Sequence, residues 1–374
     1  MKGKKTYFAG LNALRFIAAF LVIFNHIHQY KFWASQPNAW GHTLIDGLGH
    51  LPVSFFFVLS GFLITYLLLN ELERTGLINI RFFYWKRIIR IWPLYLIVAA
   101  ISLTIIPSLQ SDIFPNLPLP TSAGTYLAIF SFTPNLLRIS FPTLLGANQL
   151  WSVGVEEQFY LLWPVLILFF HRRMFEFLIT LIIIKVITQT VFTLITIESD
   201  FILAVLKLYT LFPIEQLGIG GLGAWLWSRK MDKIFSWFAN PISVLASIGI
   251  GYYFNHFIWS IGISGLIQGF IFMQIIILVI TSTTISRAFE AKWLSYLGEI
   301  SYGIYMWHTL IIFFAMKFLY MIEAPGHWSI FIIVPLLTLL IAHISYQLIE
   351  LKLLLLRDLS LRKVKLPNRN HVQS

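Results

Sequence analysis

Apolar runs long enough to cross a membrane follow one another along almost the whole chain, separated by short polar and basic gaps. Inside a bilayer every backbone N–H and C=O must be hydrogen-bonded within the protein, so runs of this length read as helices. They fall at about 9–29, 51–70, 88–107, 151–170, 175–197, 203–227, 236–254, 258–282, 294–318 and 329–351. The prediction is an all-α membrane protein, a bundle of about ten transmembrane helices at about 20 residues per crossing. Composition agrees: of 374 residues 58% are hydrophobic and 11% charged, which excludes a soluble globular domain.

The formal net charge of +11 invites a nucleic-acid partner. The basic residues instead occupy the gaps between apolar runs, where membrane topology accounts for them, so no nucleic-acid binding is expected. Lys2, Lys4 and Lys5; Arg74, Arg81, Lys86, Arg87 and Arg90; Arg172 and Arg173; Arg229, Lys230 and Lys233; Arg287 and Lys292; and the tail from Arg357 alternate consistently with a cytoplasmic location, leaving Lys31 and Arg138 outside. Both termini are therefore expected in the cytoplasm. The first run carries Arg15 and His26 and lacks a small-residue cleavage site, so it reads as a retained helix. Residues 1–356 form one membrane domain in this reading, and 357–374 form a basic cytoplasmic tail lying near anionic lipid. The longest connection, about 107–150, falls outside and holds an apolar piece, Tyr126 to Phe132, that re-enters the membrane or lies along it. With no cysteine, the chain has no thiol nucleophile, thiolate metal site or disulfide.

Within this frame, polar residues at span depth mark candidate chemistry. Arg15 and His26 are eleven residues apart, about three helical turns, on one face and roughly 16 Å apart along the axis. His28 faces elsewhere, so the two histidines make a poor metal site. Ser152, Glu156 and Tyr160 share a face at four-residue spacing at the start of the fourth run. Glu156 and Glu157 are also compatible with a helix N-terminal charge pair. Glu156 is expected at the depth of His26, where a carboxylate would orient the imidazole as a base. Ser301, Tyr305 and His308 form a polar stripe on the ninth run, either a substrate groove or inter-helix hydrogen bonding. Arg87 and Arg90 lie one turn apart ahead of Tyr95, as a phosphate clamp or a positive anchor. Ser60-Gly61 puts a small step inside the aromatic stretch Phe55 to Phe62, suited to close helix packing or a slender ligand.

Taken in order, these segments resemble the acyltransferase-3 family of integral membrane O-acyltransferases. The likeness rests on Arg-x10-His from Arg15 to His26, FFxxSGF ending at Phe62, RxxRIxPxY from Arg87 to Tyr95, SxxxExxxxxxxP from Ser152 to Pro164, and GxxSYxxYxxH from Gly298 to His308. Ser54 stands where many relatives have an acidic or other polar residue, and the likeness does not include the extracellular hydrolase-like domain that some members carry. The resemblance implies a multi-pass protein of the bacterial inner membrane. It would move an acyl group, commonly acetyl, from cytoplasmic acyl-CoA to a hydroxyl of a cell-surface or secreted glycan. Its partners would be the lipid bilayer, the donor and that acceptor, with acetyl-CoA or another acyl-CoA as a substrate and no permanently bound cofactor or metal. By the same matching His26, Glu156 and Arg15 are catalytic candidates; Arg87, Arg90, Tyr95 and Ser60 are donor-binding candidates; and Ser152, Tyr160, Ser301, Tyr305 and His308 line the acceptor groove. Direct transfer with His26 as base, an acyl-histidine and a Ser152 ester all remain open. The rival class is a transporter or flippase of glycan or lipid precursors, whose polar residues would line a permeation path.

Overall fold

The computed structural model describes residues 8–120, 122–137, 144–195, 199–231, 234–235, 238–253 and 263–356. Lys2, Lys4, Lys5, Arg138, Lys233 and the tail at 357–374 lie outside the described residues. The described residues are all-helical apart from turns and connections. Seven of their helical runs are long and apolar enough to cross a membrane.

α1 (Leu11–Trp33) follows Gly10, whose φ of 79° starts the helix from the left-handed region. α2 (Thr43–Thr75) is 33 residues long, beginning a full two turns before the apolar run and continuing through Pro52. At 1.5 Å per residue it is about 50 Å long, more than the roughly 30 Å of bilayer core, so its polar first turns are extra length. α3 (Ile80–Thr104) starts where Asn79 caps the amide of Phe82, which puts Arg87 and Arg90 on the helix. The apolar piece of the long connection forms α4 (Ala123–Phe130), capped by Ser122.

The next apolar run, Leu150–Leu194, divides into α5 (Leu150–Phe170) and α6 (Met174–Leu194) at a tight turn, His171–Arg173. Ring centres of Trp163 and Phe177 are 6.1 Å apart, where a straight helix would separate them by about 21 Å, so the run folds back as a hairpin. The span expected at 203–227 is likewise two helices, α7 (Asp200–Thr210) and α8 (Ile214–Ser228). Pro213 is the reason: it has no N–H for a continuing helix and begins the next one instead. α9 (Pro241–Tyr253) is 13 residues long and α10 (Ser264–Thr281) is 18. After α11 (Thr283–Phe289), the span expected at 294–318 also divides, into α12 (Lys292–Glu299) and α13 (Ser301–Met321). α14 (Ile330–Ser345) runs on through a wide turn, Tyr346–Glu350, to Leu356.

α1 packs on α2, α12 and α13, while α8 packs on α2, α6 and α10, so α2 joins two apolar cores. The small-residue step does pack: a Cβ on Gly61 would lie 2.1 Å from the carbonyl oxygen of Leu217, and one on Gly220 would lie 2.1 Å from that of Val58. Helices approach this closely only where a side chain is missing. The connection before α5 is pinned between α1 and α13. Tyr30 accepts from the amide of Gly146 at 2.7 Å, Thr309 reaches the Gly146 carbonyl at 2.7 Å, and Gln149 donates to the carbonyl of Met306 at 2.7 Å. This clamp fixes where Trp151 and Ser152 enter the bundle.

Candidate active site

Two cavities open into the bundle. The first, about 240 Å³, is lined by Arg15, Arg87 and Arg90 together with Ser60, Glu156 and Tyr160. Two helices supply the cations, α1 one and α3 two, and α5 faces them with the carboxylate. The Glu156 oxygens are held by hydroxyls: Ser60 donates to Oε1 at 2.8 Å and Tyr160 to Oε2 at 2.9 Å. Arg87 lies over the Tyr160 ring at 5.1 Å, and its Nε is buried with no hydrogen-bond partner. Among the described residues the ion pair within 4 Å is Lys317 with Asp112, far from this cavity, and none of the three arginines makes one. A half-buried space thus carries three positive charges against one carboxylate, an excess that an anionic ligand would balance.

The second cavity, about 390 Å³, contains His26. Its imidazole is buried and stacked on that of His308, ring centres 4.9 Å apart, with Nδ1 of His26 2.7 Å from Nε2 of His308. The direction of the proton follows from the far end of the chain. His308 Nδ1 lies 2.5 Å from the backbone carbonyl of Tyr305, which can only accept. His308 therefore donates from Nδ1 and accepts on Nε2, His26 donates from Nδ1, and the lone pair of His26 sits on Nε2. That is the arrangement of an imidazole prepared to take a proton.

This pairing corrects the sequence reading in three places. Glu156 does not orient His26: it lines the arginine cavity, whereas the partner of His26 is His308, which belongs to the imidazole pair rather than to an open groove. Ser152, Tyr160 and Ser301 line the arginine cavity rather than the His26 cavity, because α5 and the start of α13 turn their polar stripe toward α3. Tyr95 lines neither cavity; it is fully buried, donates to the carbonyl of Ile129 at 2.9 Å and packs on Phe132, so it seats α4 on α3. Arg15, Arg87, Arg90 and Ser60 line one cavity.

Tyr305 and Val53 line both cavities. The Tyr305 hydroxyl is 2.6 Å from Ser152 Oγ and its ring is 5.6 Å from that of His308, so one side chain touches the arginine side and the imidazole side. Sequence reasoning included Tyr302 in the GxxSYxxYxxH motif but gave it no role; it lines the first cavity and donates to the Ile91 carbonyl at 2.8 Å, bracing α13 on α3. The same reasoning missed the polar and indole lining of the second cavity, which comes from segments flanking the spans. The only signal there was a cluster of Trp, Asn and Asp around residues 33–46.

Fold and site together define a polytopic helical membrane protein with a cation-lined cavity set beside a buried imidazole pair. The chain belongs to the acyltransferase-3 family, whose acyltransferase-domain profile matches residues 8–346. It is similar to O-acetyltransferase OatA of Staphylococcus aureus strain NCTC 8325, at 29% identity over 373 residues, covering 92% of this chain and 57% of that protein. It is also similar to a putative O-acetyltransferase of Staphylococcus aureus strain COL, at 27% identity over 368 residues, covering 93% and 57% respectively. The chain thus spans little more than half the length of these relatives. No solved structure matches.

Proposed function

We propose that this chain is a membrane O-acyltransferase that moves an acetyl group from cytoplasmic acetyl-CoA to a hydroxyl of a cell-surface or secreted glycan. The observation that carries this reading is the pair of adjoining cavities, one with three arginines that make no ion pair among the described residues and one with the buried His26–His308 imidazole pair. Family membership supports the acyl chemistry, and the name of OatA supports acetyl and oxygen.

In this mechanism Arg87, Arg90 and Arg15 bind the phosphates of the donor, and Glu156, held by Ser60 and Tyr160, keeps the guanidinium groups spread. The pantetheine arm carries the thioester toward Tyr305. His26 takes the proton from the acceptor hydroxyl as its oxygen attacks the thioester carbonyl. The tetrahedral intermediate collapses with loss of the CoA thiolate, which recovers that proton from the imidazolium. His308 positions His26 and bears part of its charge. Ten crossings with both termini in the cytoplasm put the donor cavity on the inner side, with α8 and α9 as short crossings.

Purified protein in lipid nanodiscs tests this directly. Binding of acetyl-CoA by calorimetry, lost in Arg90→Ala, and transfer lost in His26→Ala are the expected results. A protein that neither binds nor consumes acetyl-CoA but moves a solute across vesicles is a transporter, and the reading fails.

A further inference from the structure

The two cavities differ in charge as well as position. Among the described residues the lining of the His26 cavity contains no Lys or Arg, Asp46 is its one carboxylate, and His26 and His50 are its imidazoles. Three indoles, Trp33, Trp40 and Trp151, form apolar walls, and Gln29, Asn148 and Asp46 form polar edges. The polar groups are set by the fold: Asn148 donates to Gln29 at 3.0 Å, and Asp46 accepts from the amide of Gly41 at 3.2 Å. Flat aromatic faces beside paired donors and acceptors match a pyranose ring, which presents a C–H face and an equatorial rim of hydroxyls. A phosphate or carboxylate placed here would meet Asp46 with no Lys or Arg among the described residues of the wall to offset it.

We infer that the His26 cavity is an acceptor subsite for an uncharged pyranoside, stacked on Trp40 with its hydroxyls on Asp46 and Asn148, and selective against phosphorylated acceptors. This rests on the transferase reading above and names the chemical class of its acceptor. Trp40 lies on the connection between α1 and α2, outside both helices, so replacing it leaves the bundle intact.

The test is saturation-transfer NMR on the full chain in nanodiscs without donor, using methyl β-D-glucopyranoside and chitotriose against glucose 6-phosphate and glycerol 3-phosphate. Acetyl-CoA consumption is assayed separately, so that a failed transferase reading and a failed acceptor assignment are told apart. The expected result is transfer to the C–H protons of the neutral sugars, on the order of tenfold weaker affinity in Trp40→Ala, recovery in Trp40→Phe, and little signal from the phosphate esters. Asp46→Lys should reverse the preference. Absence of sugar binding, equal or stronger binding of the phosphate esters, or an unchanged affinity in Trp40→Ala overturns the assignment.

Discussion

Replacing His308 by Phe keeps a flat ring in the stack on His26 and removes both nitrogens of the proton-holding chain. His26 Nδ1 then loses an acceptor at 2.7 Å in a buried setting. An unmade buried hydrogen bond costs about 1–3 kcal/mol, and at about 1.4 kcal/mol per tenfold this predicts a fall in kcat of roughly 5- to 140-fold. The upper end applies if the cost is felt as the imidazolium forms, since a charged donor bonds more strongly. The KM for acetyl-CoA should change less than twofold, because His308 does not line the arginine cavity. His308→Gln, whose side-chain oxygen can accept, should recover part of the loss. The assay is steady-state transfer by protein in nanodiscs, with elution volume and thermal midpoint as controls for folding. A kcat for His308→Phe within twofold of the parent, or a loss appearing wholly in the donor KM, would refute the assigned proton direction and the positioning role built on it.

Arg87→Lys and Arg90→Lys should raise the donor KM about tenfold, because an ammonium cannot give the forked contact of a guanidinium, and the loss should shrink little with salt; unchanged KM values would remove these residues from the donor site. Gly61→Leu should destabilise the bundle by several kcal/mol, since its side chain would grow into the Leu217 carbonyl; a thermal melt in detergent reads this, and an unchanged midpoint would contradict the close approach of α2 and α8. The absence of native cysteine makes single-cysteine labelling direct: probes at 173 and 229 should react with membrane-impermeant maleimide only from the inside, and those at 38 and 325 only from the outside. Asp112, exposed and outside the spans, has its carboxyl held below the ordinary range by its hydrogen bond and charge contact with Lys317. Its contribution is present at neutral pH and fades as pH falls through the lowered pKa, so Asp112→Asn should lower the thermal midpoint slightly at pH 7, by a difference that shrinks as the medium is made more acidic than the ordinary carboxylate range.

How much of this was legible in the sequence depended on which physical constraint was in force. The bilayer demands long apolar helices, so α1, α3, α5, α6, α10, α13 and α14 stood out from run length alone. Pro213 and the step at Ile300 interrupt helices without breaking hydropathy, which is why 203–227 and 294–318 read as single spans. Arg15, Arg87, Arg90 and Glu156 were visible because charge at span depth is costly and therefore conspicuous. Depth alone joined Glu156 to His26, however, and depth says nothing of azimuth. His308 holds His26 from the neighbouring helix, a relation that needs the packing of α1 on α13. The indole-lined cavity was hidden because its residues come from helix ends and connections that carry no periodic signal.

Side chains common to the two cavities have a consequence for what the proposed reaction can transfer. Among the described residues the arginine side and the indole side have Val53 and Tyr305 in common, so in the proposed transfer the cargo would have to pass a phenol ring and an isopropyl group without the large carrier following. Bulk at this wall then acts as a ruler. Trimming Val53 to Ala should admit longer acyl chains, whereas widening it to Phe should restrict the reaction to the shortest, with the surface glycans altered in mass rather than in amount.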